Sequence, residues 1–418
     1  MAVAADRLTD AIARFVEANP ESRRLHEHRR RVMPGGNTRT TIHADPFPLT
    51  IVRGEGARLW DADGHEYVDF LGEYTAGLYG HSHPAIVAAI REALEDGLVL
   101  GAPNRYDTAL AEQVCARFPS VDLVRFANSG TEANLLALSL ARAVTGRPKV
   151  LVFEGAYHGS LLLFSHGASP LNPPIPFVVA PYNDTEAAAR VVREHASELA
   201  AVIVEAVQGA AGVIPADPEF LRALRDAARD AGVLFVLDEV MTSRLAVGGM
   251  QSVLGLDPDL TTFGKFVGGG LSFGAFGGRR ELMERFDPSR PDALQHGGTF
   301  NNEVLTMAAG AAGLAVLTEA EIARLNGLGD RLRDRLNGTG AEFQATGRGS
   351  MVGLHFTRAA IRREHDIPDT PELRTLLHLH MLERGWSYGR RGFVALSLPL
   401  GEEEIDGFAA AVEEFLAA

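Results

Sequence analysis

At 418 residues, 46% of them hydrophobic and 22% charged, the chain exceeds what one hydrophobic core usually serves, so a large domain plus a smaller one is expected. A net charge of −14 excludes a general nucleic-acid binder, which needs a basic face to neutralise phosphates. The single cysteine, Cys115, excludes an internal disulfide or a thiolate-rich metal site, and no window approaches the eighteen uncharged apolar residues of a membrane span.

The N-terminal stretch, from Met1 to about Ala44, reads as a helix followed by the loop Met33 to Arg39. Charges interrupt Met1 to Glu21, so no secretory signal is read and a cytoplasmic enzyme is expected. The runs Leu49–Val52, Ala57–Trp60 and Tyr67–Phe70 are rich in β-formers, and Asp63-Gly64 between the last two marks a hairpin.

From Val121 to about Gly278, short apolar strands alternate with helices. The candidate strands are Leu123–Phe126, Val150–Phe153, Ala201–Val204, Val233–Leu237 and Ala275–Gly277. A helix runs from Pro218 to Ala231, with Asp217 as its N-cap, Pro218 in the first turn and Gly232 ending it. Val233–Leu237 is apolar on both faces, as in a parallel sheet covered by helices. The alternation predicts a doubly wound, mostly parallel α/β domain, whose ligands sit at the C-terminal ends of the strands. Past about Ala312, helix-compatible sequence (Leu314 through Asn337), strand-like Ser350–Phe356 and Gly392–Leu398, and a closing helix from Glu402 predict a smaller α+β domain. The expected division is an N-terminal segment over 1–62 that packs with the small domain, a large ligand-binding domain over 63–312, and a small domain over 313–418.

Lys265 lies among Phe263, Phe266 and the glycines Gly268 to Gly270. Such surroundings favour the neutral amine that a covalent amine catalyst needs, with glycines letting backbone pass close to a bulky cofactor. A snorkelling lysine at a strand end is the plainer alternative. Asp238 closes the most apolar strand, where a carboxylate needs a cationic or donor partner, although it could simply cap the next turn. Ser129, Gly130 and Thr131 stand between a strand and the helix-forming run Glu132–Val144, so they form either an anion cup or an ordinary N-cap. Tyr157 and His158 follow another strand, where the aromatic could stack on a planar ring or merely pack. Arg39 and Arg391 lie in glycine-containing loops and suit carboxylate recognition, or are solvated. His65, His81 and His83 lack partners at ligand spacing, and no metal is expected. Together, lysine, aspartate, anion cup and aromatic are the complement that pyridoxal 5′-phosphate (PLP) requires.

These motifs resemble the class III, fold-type I PLP aminotransferases, within them the glutamate-1-semialdehyde aminomutase branch. The likeness spans Met33-Pro34-Gly35-Gly36 to Leu398-Pro399. It includes Trp60-Asp61-Ala62-Asp63-Gly64, Gly80-His81-Ser82-His83-Pro84, Asn128-Ser129-Gly130-Thr131-Glu132-Ala133, Asp238-Glu239-Val240-Met241-Thr242 and Gly274-Ala275-Phe276-Gly277-Gly278. The resemblance implies that Lys265 is the Schiff-base lysine, Asp238 the partner of the pyridinium nitrogen, and Ser129, Gly130 and Thr131 the phosphate cup. Tyr157 and Val240 would sandwich the ring, with His158 beside it. Glu205 would be the family's acidic residue near the cofactor, although Ala206 replaces the usual proline. Thr299 would reach the phosphate of the neighbouring subunit, which implies a homodimer with shared active sites.

Other stretches depart from the aminomutases. Asn37-Thr38-Arg39-Thr40-Thr41 and Phe300-Asn301-Asn302 replace the aminomutase motifs, and Glu73-Tyr74-Thr75-Ala76-Gly77, Thr242-Ser243-Arg244-Leu245, Ser272-Phe273-Gly274 and Arg391-Gly392-Phe393-Val394 look more like the β-phenylalanine aminotransferases. That likeness implies transfer from a β-amino acid to a 2-oxo acid such as 2-oxoglutarate. Arg39 would hold the donor carboxylate and Arg391 a carboxylate of the acceptor. Tyr74, Met241 and Phe273 would line the substrate pocket. The rivals are an aminomutase moving the amine within one molecule, a nicotinamide-dependent oxidoreductase, whose glycine fingerprint is missing, and a silent PLP-binding protein.

Overall fold

The computed structural model describes residues 2–165 and 167–418; Met1, first residue of the expected N-terminal segment, lies outside them. Its centre is a seven-stranded sheet: β1 (Leu123–Ala127), β2 (Lys149–Phe153), β3 (Phe177–Ala180), β4 (Leu199–Glu205), β5 (Leu234–Asp238), β6 (Leu260–Gly264) and β7 (Gly274–Gly278), in the order β1-β7-β6-β5-β4-β2-β3. All run parallel except β7, which is antiparallel to both β6 and β1. The five strands read from the sequence are present, each within two residues of its expected ends.

Two strands of this sheet were not anticipated. β3 is a four-residue edge strand set between prolines, and β6 carries Thr261 and Thr262, which masked its apolar character. Both threonines are fully buried, and each hydroxyl is satisfied: Thr262 Oγ1 donates to Asn134 Oδ1 at 2.6 Å, and Thr261 Oγ1 lies 2.8 Å from Ser120 Oγ.

Helices cover both faces because strand side chains alternate. In β4, Val202 and Val204 join the cluster of Phe220, Leu221 and Leu224, whereas Ala201 and Ile203 join that of Leu138 and Ala141. Burying each such valine, isoleucine or leucine contributes about 1.5–3 kcal/mol. The helix Pro218–Asp230 begins where expected, but Asp217 makes no side-chain cap. Its carboxylate pairs with Arg362 instead, and Pro218, lacking an N–H, reduces what a cap could satisfy.

A four-stranded sheet joins Ile51–Glu55, Arg58–Asp61 and Glu66–Asp69 to Trp386–Ser387, the last two parallel. The hairpin at Asp63-Gly64 therefore carries this sheet across the expected boundary at residues 62 and 63. A three-stranded antiparallel sheet holds Gln344–Arg348, Met351–His355 and Phe393–Ala395. The expected single N-terminal helix is two, Ala2–Ala18 and Pro20–Arg29, because Pro20 cannot continue the first. Among the described residues no single helix is long and apolar enough to cross a membrane.

Candidate functional site

The C-terminal ends of β4, β5 and β6 place Glu205, Asp238 and Lys265 together. Lys265 directly follows β6 with a left-handed backbone (φ 54°), and its Nζ donates to the Tyr74 carbonyl at 2.7 Å. Burial pushes the amine down to about 8, although the charges of Asp238 and Glu205 oppose that fall. The glycines after it serve another purpose than expected. A Cβ on Gly268 would overlap the Phe273 side chain, and one on Gly269 the Ala309 carbonyl, so they let the chain itself pack closely.

Asp238 is almost fully buried and well supplied with donors. Oδ2 lies 2.7 Å from His158 Nδ1 and accepts from Asn134 Nδ2 at 2.9 Å, while Oδ1 takes the Val240 N–H at 3.0 Å. Burial alone would lower the His158 pKa, but the hydrogen bond and charge of Asp238 hold it above its ordinary value. His158 Nε2 is buried without a hydrogen-bond partner among the described residues. Asn134 escaped the sequence reading. Its only signal is an amide on the apolar face of a helix, four residues past Gly130. Glu205 accepts the Tyr157 N–H at 2.9 Å and the Gly209 N–H at 3.3 Å, and burial pushes its carboxyl up to about 7.

Ser129 caps the helix Gly130–Thr145, its Oγ accepting the Glu132 N–H at 3.2 Å. That start leaves the Gly130 and Thr131 N–H groups without intrahelical acceptors. Thr131 Oγ1 accepts the Ser160 N–H at 3.3 Å. A Cβ on Gly130 would sit 3.0 Å from Val240 Cγ2, and one on Gly274 would overlap the Ser129 carbonyl. Bare glycines thus let the cap, Val240 and β7 crowd together.

Tyr74 links Lys265 to two arginines: Arg39 pairs with its neighbour Glu73, and Arg391 stands two residues before Phe393, which packs on the Tyr74 ring. Tyr74 belongs to a turn, Gly72–Thr75, in which all four residues are left-handed (φ 51°, 46°, 52° and 80°). Its hydroxyl donates to the Thr41 carbonyl at 3.2 Å and its ring lies 5.3 Å from that of Phe393. Arg39 pairs with Glu73, while Arg391 is exposed. Met241 packs against Gly209. Phe273, expected at the substrate pocket, is 3% exposed and packs on Phe126, ring centroids 5.8 Å apart. Thr299 lies exposed in a loop whose Asn301 accepts from Asn128, beside Ser129. A separate cavity of about 510 Å³ opens at the opposite end of the sheet, and its arginines, Arg225, Arg229 and Arg279, are all ion-paired.

The family model for class III aminotransferases matches residues 40–372. The chain belongs to the class III aminotransferases. Over 415 residues the aminotransferase is 50% identical to the beta-phenylalanine transaminase of Variovorax paradoxus, covering 98% of this chain and 95% of that one. It is 40% identical over 413 residues to a glutamate-1-semialdehyde 2,1-aminomutase of Thermus thermophilus, covering 93% and 96%. The solved beta-phenylalanine aminotransferase from Variovorax paradoxus superimposes with a TM-score of 0.97 at 48% identity, covering 99% and 97%. The aminotransferase is a PLP-dependent enzyme of fold type I, as the family is. Its residues fit that cofactor: a half-buried amine with its pKa pushed down to about 8, a buried carboxylate, and a helix start with free N–H groups stand at neighbouring strand ends.

Proposed function

We propose that this aminotransferase takes the amino group of a β-amino acid, an aromatic one such as β-phenylalanine, and delivers it to a 2-oxo acid such as 2-oxoglutarate. The observation that carries the reading is Tyr74, whose carbonyl receives the Lys265 amine, whose neighbour Glu73 holds Arg39, and whose ring packs on Phe393, two residues past Arg391. The half-identical transaminase of Variovorax paradoxus supports the substrate class.

In this reading Lys265 holds the cofactor. Asp238, supported by His158 and Asn134, faces its ring nitrogen. Ser129, Gly130 and Thr131 hold its phosphate, Tyr157 and Val240 flank its ring, and Glu205 orders Tyr157. When bound, PLP supplies a carbonyl that takes the amine and a ring that stores the electron pair a departing proton leaves behind. The Lys265 amine, when free, would take the proton from the donor's Cβ and hand it back to complete the transfer. Arg39 orients the donor carboxylate, Arg391 that of the acceptor, and Tyr74 and Met241 shape the pocket. The donor leaves as a 3-oxo acid and the acceptor as an amino acid, so nitrogen and oxygen exchange places.

A homodimer with active sites at the subunit interface is part of this proposal. Leu98, Val99, Leu100 and Phe300 are exposed on adjoining loops, which Asn302 Nδ2 joins through the Ala102 carbonyl at 3.1 Å. Contiguous apolar surface of this kind fits a second copy, and Thr299 on the same loop would reach the neighbour's phosphate. One free cysteine accords with work in the reducing cytoplasm. The ranges 1–62, 63–312 and 313–418 remain the proposed division, with the hairpin at the first boundary serving both sides.

Incubation with 3-amino-3-phenylpropanoate tests the function. Continuous turnover is expected only with 2-oxoglutarate present; rearranged product formed without any acceptor would instead identify an aminomutase.

A further inference from the structure

Arg39 and Arg391 are not equivalent cations. Arg391 has no hydrogen-bond or ion-pair partner among the described residues. Arg39 donates Nη2 to Glu73 Oε1. One guanidinium is open to an incoming anion, and the other already carries one.

Glu73 is held where it is by backbone that L-residues avoid. It sits second in the left-handed turn Gly72–Thr75, and only Gly72 is relieved of the Cβ clash. Such a turn persists only when its surroundings over-determine it. Here Asp69 Oδ1 takes the N–H groups of Leu71 and Gly72 at 2.8 and 3.1 Å, and the Gly77 N–H bonds the Gly72 carbonyl at 2.8 Å. Tyr74 is tied at both ends, its hydroxyl to Thr41 and its carbonyl to Lys265 Nζ. The Glu73 carboxylate is thus presented to Arg39 from a fixed base, one residue from the carbonyl that receives the Lys265 amine.

A substrate carboxylate reaching Arg39 must exchange with or share against this internal one. The net gain is then the difference between two ion pairs, both half exposed. An amine lacking a carboxylate meets no such exchange, because Glu73 keeps Arg39 neutralised. We propose that Glu73 is a specificity-determining residue for the donor half-reaction: it holds Arg39 until a donor carboxylate displaces it, and so tempers the enzyme's discrimination between β-amino acids and plain arylalkyl amines. This rests on the reading of Arg39 as the donor-carboxylate site.

The test is calorimetric titration of the holoenzyme with 3-phenylpropanoate, which carries the carboxylate but no reacting amine, and with its uncharged amide. Glu73→Gln should bind the carboxylate about two- to fivefold more tightly and leave the amide unchanged. The ratio of kcat/KM for 3-amino-3-phenylpropanoate over 1-phenylethylamine should rise by the same factor. Glu73→Ala, as a second variant, should move in the same direction. Unchanged or weaker carboxylate binding in both variants overturns the role of Glu73, as does equal tightening of the amide. Arg39→Gln separates the two levels of the argument. If it weakens carboxylate binding while the Glu73 variants do nothing, only this inference falls; if it changes nothing, the reading of Arg39 falls as well.

Discussion

His158 Nδ1 lies 2.7 Å from Asp238 Oδ2, with both side chains buried. The pairing fixes the carboxylate's direction, and the Asp238 hydrogen bond and charge hold the buried His158 above its ordinary pKa. Asn134 adds a second donor to the same oxygen at 2.9 Å. The carboxylate is therefore held by two groups.

Asp238→Asn should lower kcat by about 100-fold or more, the scale of losing one preorganised electrostatic contact at a reacting group. Pre-steady-state rates with a β-amino acid donor measure this. A variant within a few-fold of the parent would show that the carboxylate charge is dispensable.

Lys265→Ala should cost about 10³-fold or more in turnover, since it removes both the covalent anchor and the proton carrier. The purified variant should also lose the visible absorbance that depends on Lys265. Full activity would remove Lys265 from the reaction.

The Lys265 amine, pushed down to about 8, should deprotonate well before an ordinary lysine. In cofactor-stripped protein its acylation rate should rise through about pH 8. The sign for stability follows. The fold disfavours the protonated amine, so this group's penalty is full below about 8 and is relieved as pH rises toward the ordinary 10.5. Glu205, raised to about 7, runs the other way, contributing stability at low pH that is lost as pH climbs through 7. Glu205→Gln should lower the acylation midpoint, because the Glu205 charge holds the amine's pKa up.

Gly274→Ala should weaken cofactor binding by about tenfold and destabilise the fold by about 1–3 kcal/mol, because its new Cβ would overlap the Ser129 carbonyl. Spectroscopic titration and thermal melts report the two effects. An unchanged cofactor affinity would mean the Ser129 cap has room to move.

Arg391→Gln should raise the KM for 2-oxoglutarate about tenfold or more while moving the donor KM far less. Equal effects on both substrates would show that the two arginines do not divide the work.

The strands that end at Asp238 and Glu205 were legible because burial on both faces leaves an unbroken apolar run, against which a terminal carboxylate stands out. Lys265 was legible for a similar reason. β6, just before it, was not, since two buried threonines look like surface until their partners are known. Asn134 was hidden because its meaning depends on a residue 104 positions away. Phe273 and the glycine run read two ways from sequence, because residue types suited to lining a cofactor are also those that let a core close on itself, and Gly268 packs on Phe273 here.

The segment that carries the Gly72–Thr75 turn is fastened at Phe70, whose N–H bonds the Ser387 carbonyl at 2.7 Å and whose carbonyl takes the Ala395 N–H at 2.8 Å. A growing chain has made every strand of the large sheet by Gly278, yet these two fastenings await residues more than a hundred positions later. During synthesis the segment whose Tyr74 carbonyl receives the Lys265 amine therefore lacks both fastenings until Ser387 and Ala395 have been made. A chain cut short between Gly278 and Ser387 would hold the residues of every strand of the large sheet and neither fastening.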